Sequence, residues 1–160
     1  MTTRTATVDD APAIAALVIQ LGYDAAPLDV AVRLTRLLAK PAQRFIVAER
    51  DGRLLGWVHV EVADYIDTDP YGHVAGLVVD RTHRRQGVGA ALMAEAEAWA
   101  RERGCAVMRL RSSATRLPAH RFYEGLGYTN LKTQYSFVKP LDARGHELAR
   151  RLVPRVDPEP

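Results

Sequence analysis

The segment from Leu77 to Ala90 combines an apolar run, a basic turn and two glycines at the start of an amphipathic helix. A helix start leaves backbone N–H groups without partners and carries the positive end of the helix dipole, so it attracts anions. Gly87 and Gly89 allow close approach to the backbone, and Arg84 and Arg85 add positive charge. The segment therefore predicts a phosphate-binding loop, with an ordinary glycine-containing helix start as the structural alternative.

Two common phosphate-binding motifs are excluded here. No Gly-Lys-Ser/Thr sequence follows, as a Walker A loop requires. Leu92 stands where a dinucleotide-binding fingerprint needs a third small residue. The predicted loop therefore belongs to neither class.

Hydrophobic periodicity, together with the Gly and Pro positions, predicts the elements around this loop. The Asp51-Gly52 pair between two apolar runs is the strongest hairpin signal in the chain. A loop with Asp64, Asp67 and Asp69 precedes the strand that leads into the phosphate loop. The predicted strands cover 2–8, 45–48, 54–63, 72–80, 106–112 and 128–138, and the predicted helices cover 10–22, 27–40, 87–103 and 118–127. This order predicts a layered α+β or α/β arrangement.

Composition narrows the class of protein. The 160 residues suit one domain, and 48% hydrophobic with 26% charged residues excludes global disorder. The single cysteine, Cys105, excludes an internal disulfide and a cysteine-based zinc site, so we expect no metal. The start of the chain lacks the apolar region of a secretory signal, and the longest uncharged apolar stretch, 11–23, is shorter than the ~20 residues of a membrane helix. We expect a soluble, cytoplasmic protein.

Charge is distributed unevenly along the chain although its net value is only +3. Residues 45–80 hold seven acidic residues against two arginines, whereas residues 81–116 hold eight arginines against three glutamates. This asymmetry fits an anion bound near the second segment and a cation near the first. The alternative is that both segments are solvated surface.

Two sequence blocks resemble a known superfamily. Arg84-x-x-Gly87-x-Gly89, after the strand 76–80, resembles the acetyl-CoA signature of the GNAT superfamily of N-acetyltransferases. The segment Ala119–Tyr128, with sequence AHRFYEGLGY, resembles the second block of that superfamily, in which a tyrosine lies beside the thioester sulfur. The blocks occur in the family's order, and the element order matches from about residue 2 to 139, leaving the last twenty residues outside.

The resemblance implies a fold and a division of the chain. It implies an α+β, α/β/α-layered fold with a mixed, mostly antiparallel sheet of about 6–7 strands and helices on both faces. It implies one acetyltransferase domain over residues 1–140. Residues 141–160 form a C-terminal extension, predicted as a short basic helix over 141–153 and then a disordered tail.

The resemblance also implies the cofactor and the reaction. Acetyl-CoA would donate its acetyl group to a primary amine by direct attack in a ternary complex. Its pantetheine arm would lie against the central strand, where one strand N–H would face the developing oxyanion, and its pyrophosphate would lie on the amides of residues 86–90. The implied cofactor-binding residues are Leu77, Val78, Val79, Arg84, Arg85, Gln86, Gly87, Val88, Gly89, Ala90, Ala119, Phe122 and Tyr123.

Acid and base candidates follow from the same chemistry. Tyr123 is expected to protonate the leaving thiolate, with a packing role beside Phe122 as the alternative. His73 lies on the central strand where some family members carry a catalytic glutamate, and histidine titrates near neutrality. Glu61, on the neighbouring strand, is the competing base, and the third alternative is that there is no dedicated base. His59 is expected to be structural.

The acidic segment suggests the acceptor. Anionic walls concentrate cations, so we expect a polycationic amine as substrate. The candidate substrate-binding residues are Tyr23, Asp24, Glu61, Asp64, Asp67 and Asp69. A solvated acidic loop without substrate contact is the alternative.

Two other functions compete with catalysis. A non-catalytic acyl-CoA sensor would keep the cofactor groove, but it has no need of an acid such as Tyr123. A nucleic-acid binder would use the arginines of 81–116, but that segment lacks interleaved aromatics and a helix-turn-helix pattern. We therefore expect a small-molecule or peptide amine as partner, with neither nucleic acid nor membrane, and leave monomer and homodimer open.

Overall fold

The computed structural model describes residues 1–152, which form five strands and five α-helices. In chain order the elements are β1 (Thr2–Thr5), α1 (Ala11–Ile19), α2 (Pro27–Leu38), β2 (Gln43–Arg50), β3 (Arg53–Tyr65), β4 (Thr68–Val79), α3 (Val88–Glu102), β5 (Met108–Leu110), α4 (Leu117–Gly125) and α5 (Ala143–Arg151). Short 3₁₀ helices over Val8–Asp10 and Arg81–His83 precede α1 and follow β4.

The strands form one mixed sheet in the order β1-β2-β3-β4-β5. The first three pairings are antiparallel, and β5 pairs with β4 in parallel. The mixed, mostly antiparallel sheet is as predicted, but the expected count of 6–7 strands is wrong, because residues 1–152 contain five. The difference lies in the predicted strand over 128–138. Leu131, Tyr135 and Phe137 alternate with polar residues in this segment, but it takes part in no strand pairing, and Tyr135 and Phe137 are about nine-tenths exposed.

A second correction concerns the predicted acidic loop. β3 continues to Tyr65 and β4 begins at Thr68, so only Ile66 and Asp67 lie between the two strands. The rings of Tyr65 and Tyr71 lie 6.1 Å apart across the strands. Cross-strand aromatic pairs stabilise hairpins. This pair lies in the segment that was predicted as a loop because of its acidic residues, and there it supports the continued pairing of β3 with β4.

Both faces of the sheet carry helices, as predicted. On one face, α1 and α2 pack over Phe45, Val47 and Trp57 through buried side chains such as Ile14 and Leu34. On the other face, α3 covers the buried side chains that alternate with these. Its Leu92 lies so close to Gly56 that a Cβ on that glycine would approach it to 3.2 Å.

The chain forms two compact units. Residues 1–110 hold the sheet and α1–α3, and the second unit begins at Arg111 and contains α4 and α5. The predicted tail over 154–160 lies outside the described residues. Within the described part of the chain, no helix combines the length and the apolar character needed to cross a membrane.

Candidate active site

The loop between β4 and α3 presents backbone N–H groups at an exposed surface. Arg85 (φ 59°) and Gly87 (φ 80°) have positive φ at alternating positions, a pattern that gathers successive N–H groups into an anion-binding concavity. The N–H of Ala91 donates to the carbonyl of Gly87 at 3.0 Å, so the N–H groups of residues 88–90 precede the helix's own hydrogen bonds. The predicted phosphate loop therefore has the backbone geometry for binding an anion.

β4 contains a bulge beside this loop. His59 pairs with Gly76, but the next β3 residue, Val60, pairs with Val74. Ala75 is therefore an extra residue without a partner on β3, and its side chain is exposed. Because of the extra residue, the odd-numbered His73 before the bulge and the even-numbered Val78 after it point to the same face of the sheet.

Beyond the bulge, one edge of β4 has no strand partner within residues 1–110, and this edge is called the open edge here. Val74 is the last β4 residue that pairs with β5, and within residues 1–110 no other strand continues the ladder on that side. The N–H of Asp80 donates to a β3 carbonyl at 2.8 Å. Since backbone groups alternate along a strand, those of Val78 also point toward β3. Those of Leu77 and Val79 point to the open edge, so two of the three predicted strand residues can offer hydrogen bonds to a ligand.

Four polar side chains form a connected cluster on β2, β3 and β4. Glu61 and His73 are cross-strand partners, and His73 Nδ1 lies 3.0 Å from Glu61 Oε1. Gln43 Nε2 donates to the other carboxylate oxygen, Oε2, at 3.0 Å. His59 Nε2 lies 3.3 Å from Gln43 Oε1. The two residues predicted as competing bases therefore belong to one hydrogen-bonded unit on the α1–α2 face of the sheet.

The hydrogen bonds assign the protons of this cluster. A carboxylate only accepts, so the hydrogen between His73 Nδ1 and Glu61 is assigned to Nδ1, and in a neutral ring the lone pair is then on Nε2. Gln43 donates to Glu61 through its NH₂ group, so its carbonyl accepts from His59 Nε2–H. Burial lowers the pKa of His59 and outweighs the charge of Glu61, which acts in the opposite direction. His59 is therefore uncharged at neutral pH. In a neutral His73 ring this tautomer makes Nε2 the proton acceptor.

Tyr123 lies on α4 in the second unit. Its ring makes edge-to-face contacts with Phe122, at 5.1 Å, and Tyr128, at 6.0 Å. Burial raises the pKa of Tyr123, and the charge of Arg116 only partly opposes this, so the phenol is protonated at neutral pH. Ala119 lies one turn earlier on the same helix. Tyr123 therefore has the protonation state of an acid.

The candidate acceptor residues other than the half-buried Glu61 are at the surface. Asp64, Asp67 and Asp69 are exposed around the tip of the β3–β4 hairpin. Arg109 lies over the Tyr71 ring at 4.4 Å from its centroid, which gives the hairpin a cationic neighbour as well. Tyr23 and Asp24 are exposed in the connection between α1 and α2.

Comparison with known proteins identifies the family. The model of the acetyltransferase (GNAT) family matches residues 15–128. The chain belongs to the GNAT family. Aminoglycoside N(6')-acetyltransferases type 1 from Klebsiella aerogenes and Stenotrophomonas maltophilia are 34% and 32% identical to it over 116 and 147 residues. These alignments cover 71% and 88% of this chain and 76% and 94% of the two relatives.

Solved structures agree on the fold. AAC(6')-Iy in complex with the bisubstrate analogue CoA-S-monomethyl-acetylneamine gives a TM-score of 0.78 at 20% identity, covering 86% of this chain and 97% of that chain. The same enzyme in complex with CoA gives 0.75, also at 20% identity, over 86% and 98% of the two chains. The predictions of a GNAT enzyme and of acetyl-CoA as its cofactor are confirmed, so catalysis is favoured over the sensor alternative.

The residues of this GNAT protein fit acetyl-CoA. The N–H groups of residues 86–90 suit the pyrophosphate, and the backbone of Leu77 and Val79 suits the amides of the pantetheine arm. A Cβ built on Gly87 meets no atom within 4 Å, so the space in front of this loop is open. Bound here, acetyl-CoA would supply an activated acetyl thioester.

One member of the polar cluster was missed by the sequence reasoning. Gln43 begins β2 and pairs with Glu61 in the β2–β3 register. The Asp51-Gly52 turn could have placed the two strands side by side. A register shift at Ala48 and Glu49, however, moves Gln43 by one residue from the position that an uninterrupted hairpin would give.

We predict that Gly87→Val lowers the affinity for acetyl-CoA at least tenfold. A branched side chain at φ 80° is strained, and it would fill the space in front of the loop N–H groups. Isothermal titration calorimetry measures the affinity. Gly104→Val is the matched control, because Gly104 has φ 79° and also has open space around it. The control should lose stability but bind acetyl-CoA normally. Unchanged affinity in folded Gly87→Val would contradict the assignment.

Proposed function

We propose that this enzyme acetylates a primary amine of a small polycationic acceptor by direct attack in a ternary complex. The observation that carries the proposal is the hydrogen bond between Glu61 on β3 and His73 on β4, the strand that also carries Leu77 and Val79. Two relatives that are more than 30% identical are named for aminoglycosides, which are small polyamines. Both features favour an amine over other nucleophiles.

His73 acts as the base in this proposal. The acceptor amine is a cation at neutral pH and must lose a proton before it can attack. His73 Nε2 takes that proton, directly or through water, and Glu61 stabilises the resulting imidazolium through Nδ1–H. Gln43 orients Glu61 by occupying its second oxygen. The arrangement resembles the way in which a buried carboxylate orients a catalytic histidine in other enzymes.

Backbone N–H groups and Tyr123 stabilise the negative charges that develop on the thioester oxygen and on the departing sulfur. An N–H of Leu77 or Val79 donates to the thioester carbonyl, where negative charge develops during attack. Tyr123 donates its phenolic proton to the departing sulfur. Since burial raises the pKa of Tyr123, the phenol keeps this proton through the range in which the amine loses its own.

The acceptor is selected by charge. The hairpin tip with Asp64, Asp67 and Asp69 and the connection with Tyr23 and Asp24 provide exposed carboxylates for several ammonium groups. We include residues 1–140 in one catalytic domain, because the family match at 15–128 spans both compact units. Neither nucleic acid nor a membrane is required as a partner, and a monomer and a homodimer are both compatible with the proposed reaction.

An amine panel tests the proposed function. Release of free CoA should be fastest with acceptors that carry two or more amino groups, such as aminoglycosides and polyamines, and slow with neutral or acidic amino compounds. The release is followed with a thiol reagent, and the buried Cys105 gives little background. A best substrate without a second positive charge would overturn the polycation proposal, and no turnover with any amine would overturn the function.

We predict that His73→Gln lowers kcat about 10²-fold, because an amide cannot accept the amine proton. Glu61→Gln should lower kcat less, since the histidine base remains. His146→Gln is the control, because His146 is exposed on α5 and outside the family match. Steady-state kinetics with the best acceptor measure all three. A larger loss in Glu61→Gln than in His73→Gln would make Glu61 the base.

We predict that Tyr123→Phe lowers kcat about 10²-fold while the dissociation constant of acetyl-CoA changes less than twofold, because only the acid is removed. Tyr135→Phe is the matched control at an exposed tyrosine. In the wild type, acid catalysis should be lost only as pH rises through the raised pKa of Tyr123, above the ordinary ~10. A kcat within twofold of wild type in Tyr123→Phe would reduce Tyr123 to a packing role.

We predict that the double variant Asp67→Asn, Asp69→Asn raises KM for a polycationic acceptor, and that the rise shrinks at higher salt. Salt screens exposed charges beyond a Debye length of about 8 Å at physiological ionic strength. Initial rates at two salt concentrations measure the effect. Asp142→Asn, which alters an acidic residue at the start of α5, is the control. Identical KM values in variant and wild type would show that the hairpin tip does not attract the acceptor.

A further inference from the structure

Asp80 is a buried carboxylate at the junction of β4 and the phosphate loop. Its side chain is 9% exposed. Oδ1 accepts a hydrogen bond from the backbone N–H of Thr82 at 2.9 Å and another from the Thr82 hydroxyl. His83 Nδ1 lies 3.2 Å from the same oxygen, and the N–H of His83 donates to the Asp80 carbonyl at 2.9 Å. Asp80 therefore organises the 3₁₀ turn with which the loop begins.

The second oxygen of Asp80 connects the loop to helix α1. Gln20, at the end of α1, donates from Nε2 to Asp80 Oδ2 at 3.2 Å. Its Oε1 accepts from the backbone N–H of Arg81 at 3.0 Å, and its backbone carbonyl accepts from the Arg81 guanidinium at 3.1 Å. Arg53, from the β2–β3 hairpin, lies 3.5 Å from Oδ2. The side-chain amide of Gln20 thus binds both Asp80 and Arg81, the two residues at the start of the loop.

The contacts continue into the anion-binding part of the loop. Gln86 Nε2 donates to the carbonyl of Thr82 at 3.2 Å. Gln86 lies between Arg85 and Gly87, whose positive φ values form the concavity. Hydrogen bonds, led by that of the Thr82 hydroxyl, lower the pKa of Asp80 and keep it a carboxylate. A loop that is already ordered loses less entropy when it binds its ligand.

We propose that Asp80 and Gln20 are positioning residues that hold the phosphate loop in its anion-binding conformation. The proposal rests on the assignment of residues 84–90 to the pyrophosphate of acetyl-CoA. Neither side chain contacts the cofactor. They act through the backbone of Arg81 and Thr82, so they affect the part of the cofactor that lies on the loop. The acetyl end, which lies on β4 before Asp80, should be unaffected.

Ligands with and without the pyrophosphate test this division. CoA and acetyl-CoA contain it, and S-acetylpantetheine does not. Asp80→Asn should raise the dissociation constant of CoA at least tenfold in calorimetry, and Gln20→Ala about fivefold. With S-acetylpantetheine as donor, kcat/KM should change less than twofold in both variants. Gln20→Ala removes a half-buried surface amide, so it provides the measurement if Asp80→Asn does not fold.

Controls separate positioning from stability. Asp10→Asn changes another buried carboxylate in the same unit, whose partners are Arg4 at 2.7 and 2.8 Å and the N–H of Thr7 at 2.8 Å, so CoA affinity should stay within twofold. Thr82→Val should weaken CoA binding because it lacks the hydroxyl, and Thr82→Ser, which keeps it, should restore wild-type affinity.

Two results would overturn the proposal. The first is wild-type CoA affinity in folded Asp80→Asn and Gln20→Ala, and the second is an equal loss with CoA and with S-acetylpantetheine. The Gly87→Val variant separates this proposal from the site assignment on which it rests. If Gly87→Val loses CoA affinity and Gln20→Ala does not, only the positioning role fails. If Gly87→Val binds CoA normally, the loop assignment fails and the positioning role fails with it.

Discussion

The site depends on how β4 divides its backbone hydrogen bonds between its two edges. This strand pairs with β3 on both sides of its bulge, yet within residues 1–110 part of its other edge has no strand partner. Pairing with β5 stops at Val74, and the next residue, Ala75, is the bulge. Open strand edges are a liability in most proteins because they pair with other chains. Here the open edge is short, and the phosphate loop follows at once.

The two sides of the bulge hold opposite electrostatic environments. Before it, Glu61 and His73 belong to the polar cluster near an acidic hairpin tip. After it, a turn rich in arginine and exposed N–H groups precedes α3. The exposed carboxylates of the hairpin tip and the arginines of the phosphate loop thus lie at opposite ends of β4. Such a gradient orients a reaction between a cationic and an anionic partner before either makes close contacts.

Features that depend on local chemistry were predictable from the sequence. The Asp51-Gly52 turn, the Pro27 helix start and the glycine at the start of α3 each have one dominant backbone preference, and each is where it was expected. The helices themselves followed from hydrophobic periodicity, and their arrangement on both faces was implied by the family resemblance.

Features that depend on register were not predictable. The length of β3 beyond Ala63 rests on a pair of tyrosines whose contact requires the correct strand alignment. Gln43 meets Glu61 only because of a register shift in the β2–β3 hairpin. The link from Gln20 to Asp80 joins residues sixty positions apart. Neither residue carries a local signal for it, since glutamine at a helix end and aspartate at a strand end are both ordinary.

The bulge at Ala75 also limits how this chain can tolerate insertions and deletions. Side chains alternate along a strand, so deleting Ala75 would exchange the faces of everything on one side of it. Either His73 would leave the α1–α2 face where Gln43 and Glu61 lie, or Val78 would leave its place among the buried side chains beneath α1. A single-residue insertion next to it would have the same effect. The number of β4 residues between the polar cluster and the loop can therefore change only in steps of two. The hairpin tip before Tyr71 is free of this restriction.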